Sequence, residues 1–298
     1  MKKMLFILAA IALPVFFPGC EEETGSGTMM LSITDSPIDS STVSGVFITI
    51  NEIQVHTSDS GWLTLEDFAG PETFNLLDLT RGESDLLGNF DLGAGNYTQI
   101  RFMLDAPVLG TAKPVNPGCY IEFRDESIQP LFVPSGTESG FKGIGNFRVP
   151  VNGSVEITAD FDVRKSVHKT GSASPRYILR PVIRLVVDNQ AGAIRGNVTS
   201  IPENTGIVVY AYEAGTYAAE EANDPIDETA SRFPDAVSSD MVDTLGIYHL
   251  AYLAEGDYDL VVTSVSEGTF GEVLGIVENV AVESRKVTKQ DIDIELLK

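Results

Sequence analysis

The chain has 298 residues, 43% hydrophobic and 21% charged, which suffices for one large domain or two ordinary ones and argues against global disorder. Forty-three acidic residues against 20 basic ones give a formal charge of −23, a field that repels phosphate backbones and argues against nucleic acid as a partner. The same field suits divalent cations, basic partners or plain solubility, and solubility is the simplest reading.

Residues 1–20, MKKMLFILAAIALPVFFPGC, read as a targeting segment. Lys2 and Lys3 form a basic start, and Met4 to Phe17 is apolar but too short and too interrupted by Pro14 for a membrane span. The apolar run stops at Gly19-Cys20, and Glu21-Glu22-Glu23 follow at once. This resembles a bacterial lipoprotein signal in which Cys20 becomes the acylated N-terminus, which implies a membrane contact through lipid. Glu21 in place of an Asp retention residue points to the outer membrane and a cell-envelope location. Residues 21–28 have linker composition. With Cys20 acylated, Cys119 has no partner for a disulfide, and its alternating surroundings make it a small buried hydrophobe.

From Met29 onward the pattern is strand-like. Runs of period 2 or of β-rich composition fall at 29–34, 46–56, 62–65, 73–79, 97–104, 119–124, 127–133, 141–149, 154–163 and 177–187. Glu83–Gly88 reads as the one helical turn before Asp188. In Ser154–Arg164, Val155, Ile157, Ala159, Phe161 and Val163 share one face, while Glu156, Thr158, Asp160, Asp162 and Arg164 share the other, a half-buried strand. Pro181 interrupts the apolar run RYILRPVIRLVV, where it marks a bulge or an edge stretch of a central strand.

Asp188–Gly192 reads as a domain boundary, dividing a β-sandwich over 29–189 from a second over 190–298. The second has strands at 193–199, 206–213, 246–250, 256–263, 273–282 and 291–296, with a polar, acidic and solvated insertion over 214–242. The fold class expected is therefore all-β, two antiparallel sandwiches. Leu92–Tyr97 and Leu253–Tyr258 share the pattern L-x-x-G-(N/D)-Y. The glycine and the Asn or Asp suit a tight hairpin, and the tyrosine hydroxyl suits a bond to backbone as in a tyrosine corner.

Asp162–Gly171, DVRKSVHKTG, holds two strings that look catalytic: Ser166 to Lys169 as S-x-x-K, and Lys169-Thr170-Gly171 as K-T-G. The two share Lys169, Ser166 follows a strand and no S-D-N lies between, so the serine-acylase context is missing; Ser139–Lys142 has the same fault. No G-x-S-x-G elbow accompanies His56, His168 or His249, and no Cys or His pair has zinc-ligand spacing. Hard oxygens for calcium are offered by Asp35, Asp39, Asp160 and Asp162, and in the insertion by Glu220, Glu221, Asp224, Asp227 and Glu228, but no calcium-loop motif is present. Neither a metal nor a cofactor is expected. Asp35, Asp162, Arg164, Lys165, His168 and Lys169 remain as a candidate binding cluster, either paired internally or turned to a glycan or protein ligand. Trp62 and Tyr217 are candidate sugar-stacking rings.

Two resemblances follow from these residues. Leu31–Pro37, the strand 46–55 with its ending EIQVH, GNYTQIRFMLD, VPSGTESGFK and above all DFDVRKSVHKTG with YILRPVIRLV resemble the bacterial "domain of unknown function 4382" family of secreted lipoproteins over 29–189. Gly192–Val198, Asp243–Leu250 and Leu253–Val262 resemble the carboxypeptidase regulatory-like modules, which implies a prealbumin-like sandwich of carbohydrate-binding-like fold in a structural or adhesive role. Arg195 stands where related adhesin modules carry a cross-linking Lys, so no isopeptide is expected. The expectation is a non-enzymatic envelope protein for binding, adhesion or structure. The alternatives are a metal-dependent enzyme using carboxylates near Asp35 and Asp162, or a periplasmic assembly factor.

Overall fold

A computed structural model describes residues 25–36, 42–58, 60–107, 118–134, 140–171, 176–225, 230–266 and 269–297. The leader with Cys20, the acidic start of the linker, Asp39, Ser139, Asp227 and Glu228 lie outside the described residues. Among the described residues no helix is long and apolar enough to cross a membrane.

The architecture is all-β. The first thirteen strands are β1 (Ser26–Ser36), β2 (Val43–Thr57), β3 (Gly61–Thr64), β4 (Glu72–Asn75), β5 (Asp85–Gly93), β6 (Gly95–Leu104) and β7 (Tyr120–Phe123), then β8 (Ile128–Phe132), β9 (Phe141–Val149), β10 (Ser154–Asp162), β11 (Val167–Thr170), β12 (Arg176–Leu179) and β13 (Ile183–Val187). They follow one path, β11-β12-β8-β7-β2-β6-β9-β13-β10-β1-β5, with β3 and β4 paired to β2. The 15-residue β2 pairs with β7 and β4 through its first half and with β6 and β3 through its second, with a register shift between Ile50 and Glu52. A long strand that changes partners at an irregularity lets the path turn and enclose a core. That core runs from Met29 to Ile183 and includes Ile53, Val55, Ile100, Phe102, Ile157 and Phe161.

The remaining strands are β14 (Ala191–Thr199), β15 (Gly206–Glu213), β16 (Ser238–Met241), β17 (Ile247–Ala254), β18 (Gly256–Ser266), β19 (Thr269–Val282), β20 (Val287–Lys289) and β21 (Ile292–Asp293). They form two sheets, β17-β14-β20 with β21 on β14, and β16-β15-β18-β19. Ile194, Tyr248, Leu250, Leu260 and Val262 pack between them. No ladder among the described residues joins β1–β13 to β14–β21.

Several elements differ from expectation. β5 stands where a helical turn was expected at 83–88; it is an edge strand whose pairing with β1 decides its conformation. β4 stops at Asn75, whose side chain caps a 3-10 turn over Leu76–Leu79 by accepting from Leu77 N at 3.3 Å. Pro181 does not bulge a single strand but separates β12 from β13, which belong to distant parts of the path. β1 pairs with β10 in parallel over nine register pairs, and β14 is parallel to β20 and β21, so the sheets are mixed rather than purely antiparallel. The two L-x-x-G-(N/D)-Y segments are not hairpins: neither β5 with β6 nor β17 with β18 forms a ladder. Each carries the chain between non-neighbouring strands and is locked by its tyrosine, Tyr97 Oη donating to Gly93 O at 2.8 Å and Tyr258 Oη to Ala254 O at 2.9 Å.

Candidate functional site

Four of the six residues of the candidate binding cluster, Asp35, Asp162, Arg164 and Lys165, converge where the two sets of strands meet. The parallel register of β1 on β10 places Asp35 opposite Phe161 and Ser36 opposite Asp162. Asp35 Oδ1 therefore reaches the turn after β10 and accepts from Val163 N at 2.9 Å. That turn is a single helical turn, α1 (Val163–Ser166), with Asp162 as its N-cap. Asp162 Oδ1 accepts from Lys165 N at 3.1 Å, and Oδ2 lies 3.3 Å from Lys165 Nζ and 3.4 Å from Arg164 Nη2. A short polar side chain accepting from the third residue on is the usual way to satisfy an unpaired N–H at a helix start.

Arg164 and Lys165 then cross to the second set of strands. Arg164 Nη1 donates to Arg232 O and Phe233 O at 2.7 Å each, and its guanidinium lies 5.4 Å from the centre of the Tyr210 ring. Lys165 Nζ donates to Ala236 O at 2.6 Å. Burial lowers the Lys165 pKa from its ordinary value, against the pull of Asp162. The polar face of β10, expected to meet solvent, is buried from Thr158 onward because the second unit covers it.

The serine that resembled a nucleophile is fully engaged. Ser166 Oγ donates to Asp162 O at 2.5 Å and accepts from Val182 N at 2.9 Å, and the residue is buried at the end of α1. Of the candidate binding cluster, Asp35, Asp162, Arg164 and Lys165 are joined internally, His168 is buried on β11, and Lys169 is exposed. Within the cluster, Arg164 and Lys165 form a joint between the two sets of strands.

A second joint was not found from the sequence. Arg81 has φ 62° and sends Nε to Asp240 Oδ2 at 3.2 Å, Nη1 to Asp243 Oδ2 at 3.0 Å and Nη2 to Ile247 O at 2.8 Å. Its own carbonyl faces His249 Nδ1 at 2.6 Å, which makes Nδ1 the protonated nitrogen. Asp240 Oδ2 also accepts from His249 N at 2.7 Å. Burial drives the Asp240 carboxyl up to about 7, with the His249 N–H and Arg81 opposing the rise. Burial also lowers the His249 pKa, partly offset by the Arg81 carbonyl. The chain offers a faint cue to this joint, an Arg-Gly pair closing the turn after LLDLT.

The 214–242 insertion was expected to be solvated. It instead seats Phe233 at 0% exposure against Tyr210 and Phe270, with ring centroids at 4.3 and 5.5 Å, over the outer face of the β15–β18 sheet. Of the oxygens the insertion offers for calcium, Glu221 Oε2 accepts from Tyr212 Oη at 2.9 Å and Asp235 N at 3.1 Å, and Asp224 pairs with Arg232. Asp160 Oδ2 pairs with Arg184 at 2.6 Å. Among the described residues no three His, Cys, Asp or Glu side chains are grouped to hold a metal ion. Tyr217 packs edge-on to Tyr212 at 5.1 Å, and the Arg101 guanidinium lies 3.7 Å from the Trp62 ring centre, so neither ring is an open stacking platform. Cys119 is fully buried, and burial pushes its thiol up to about 12, far from a reactive thiolate.

Fold and joint together define an all-β protein of two packed units whose conspicuous charges bind one unit to the other. The chain belongs to the family described as "Domain of unknown function (DUF4382)", which matches residues 26–181. No curated protein matches it. Among solved structures, the minor pilin GBS52 of Streptococcus agalactiae is 14% identical, with 89% of this chain and 94% of the pilin covered and a TM-score of 0.23. The major pilin subunit BcpA of Bacillus cereus is 10% identical, with 90% and 99% covered and a TM-score of 0.22. A candidate carbohydrate-binding protein of Pseudomonas aeruginosa is 17% identical, with 36% and 91% covered and a TM-score of 0.23. Scores of this size say nothing about role, and the architecture stands on the strand pairing itself.

Proposed function

We propose that the chain is a lipid-anchored protein of the cell envelope, placed on the outer membrane through Cys20, with a non-enzymatic role in binding, adhesion or envelope structure. On this reading residues 29–189 form one sandwich and residues 190–298 a carboxypeptidase regulatory-like module beyond it. One observation carries the non-enzymatic part: Asp162, Arg164, Lys165 and Ser166 of the DVRKS segment are all held by partners inside the molecule, two of them across the two units. Arg164 and Lys165 cap carbonyls of the second unit, and Ser166 is bonded as both donor and acceptor. A body made rigid at its joint suits presentation of a surface at a distance from an anchor. The alternative metal enzyme would need free carboxylate oxygens near Asp35 and Asp162, and Asp162 uses both of its oxygens in the joint.

The test is cell fractionation of the native chain and a Cys20→Ala variant, with labelled fatty acid. The native chain should sediment with membranes and carry label, and the variant should do neither. A variant that still sediments with membranes removes the lipid anchor from the reading.

A further inference from the structure

A polar trough adjoins the second joint through Tyr252, whose hydroxyl donates to Gly82 O at 3.4 Å, and it owes its existence to the way two strands part. β9 and β13 are parallel and share the single register pair Arg184 and Ile144. Beyond it β9 continues to Val149 on β6, and β13 continues to Val187 on β10. The gap between them opens into two adjoining clefts of about 610 and 490 Å³, which share Asn146, Val187 and Gln190. The second unit closes the far end with Tyr252, Glu255 and Ser284.

The lining chemistry is distinctive. Four carboxamides, Asn96, Asn146, Asn189 and Gln190, are exposed on the trough, and among the described residues none of these side chains is held by a hydrogen bond. They come from β6, β9 and the turn after β13, and the fold alone brings them together. A carboxamide offers two donors and an acceptor at one tip, and so matches neighbouring hydroxyls that must donate and accept at once. The charged lining is sparse and mixed, Arg148 and the Asp160-paired Arg184 beside Glu255, in a chain that is otherwise strongly acidic. Val187 lines the trough and Ile144, 73% exposed, flanks it, which supplies a narrow apolar strip for a C–H face.

We propose that this trough binds a neutral, hydroxyl-rich oligosaccharide, with Asn146 and Gln190 at the centre of the site. The proposal rests on the binding role given above and not on the lipid anchor. A neutral ligand is favoured because an anionic one would meet the repulsive field of the whole chain, and Glu255 is the one carboxylate among the described lining residues to receive a basic one. Of the rings on the walls, Tyr97 and Phe147 are buried and Tyr252 is half-buried at the closed end, so no ring is fully exposed for stacking and affinity is weak, on the order of 1 mM.

The experiment is saturation-transfer NMR on the full-length protein in a detergent without a sugar headgroup. The probes are cellotetraose, chitotetraose, maltotetraose and mannotetraose, with a Gly/Ser/Asn decapeptide as an extended-chain comparison. At least one sugar should receive saturation, and an Asn146→Ala, Gln190→Ala variant should lose at least tenfold in affinity. Both residues are exposed, so the melting temperature of the variant should not change. The proposal is overturned if no sugar receives saturation, if the variant binds as the native chain does, or if the decapeptide is bound in place of the sugars. Failure here leaves the fractionation result of Cys20→Ala untouched, so the two readings fail separately.

Discussion

Arg164 reaches out of α1 and donates two hydrogen bonds of 2.7 Å from one nitrogen to the carbonyls of Arg232 and Phe233, 68 and 69 residues away. Its side chain is 5% exposed and sits 3.4 Å from Asp162. Removing it would orphan two carbonyl acceptors and leave Asp162 with Lys165 as its only cation among the described residues, which costs about 3–5 kcal/mol. Arg164→Ala should therefore destabilise the protein by about that much and make the 214–242 insertion sensitive to protease. Urea denaturation and limited proteolysis check this. A loss below about 1 kcal/mol, a value typical of exposed pairs, would show that the joint is not built on Arg164.

The joint also explains how far the sequence could be read. Period-2 alternation located most of the strands, and in β10 it assigned the apolar face correctly, since Val155, Ile157, Ala159 and Phe161 are all buried. The same alternation misassigned the opposite face, because Thr158, Asp160 and Asp162 are buried by residues distant in the chain. Periodicity reports a strand's own two sides and carries nothing about what later covers them. The meeting of Asp35 with Val163 depends on a parallel register between residues more than a hundred positions apart, which no local pattern encodes. The four carboxamides of the trough are scattered over 96, 146, 189 and 190 for the same reason. Phe233 was legible in principle, as one of two aromatics, with Tyr217, in an acidic stretch, and the polar average of its neighbours hid it.

Asp240 gives the fold a pH dependence of defined sign. Its folded-state pKa of about 7 lies above the ordinary value of 3.8, so the folded state holds the proton more tightly than the unfolded chain. The resulting stabilisation is complete below about pH 3.8 and is lost as pH rises towards about 7. His249 acts in the opposite sense: its lowered pKa costs stability as pH falls through 6.5. Asp240→Asn keeps an oxygen for the His249 N–H and removes the titration. Thermal melts of native protein and variant between pH 5 and pH 8 should differ in slope, the native protein losing more stability as pH rises. Parallel curves would assign the pH dependence to other groups.

Tyr97 and Tyr258 perform the same local task in two different sandwiches, each hydroxyl bonding a carbonyl four residues earlier. Tyr97→Phe and Tyr258→Phe should each cost about 0.5–1.5 kcal/mol, the usual net worth of one such bond. The two corners belong to separate cores and share no partner, so the double variant should show the sum of the single effects. Chemical denaturation of the three variants measures this, and a coupling above about 0.5 kcal/mol would contradict the independence of the corners.

Gly82 is the tightest point of the second joint. Its φ is 87°, and a Cβ there would lie 2.9 Å from His249 Cε1 and 3.4 Å from Ala251 Cβ. Positive φ carries a backbone penalty for any residue with a Cβ, and the preceding Arg81 already occupies φ 62°. The His249 ring cannot simply retreat, because its Nδ1 is held by the Arg81 carbonyl at 2.6 Å. Gly82→Ala should therefore destabilise by about 1–3 kcal/mol and weaken the hold of Arg81 on Asp240 and Asp243. The distinguishing readout is the His249 ring, whose NMR titration should move up towards the ordinary histidine value as the joint loosens and water enters. A variant that loses stability with an unmoved His249 titration would place the strain in the turn alone, and would leave the joint intact.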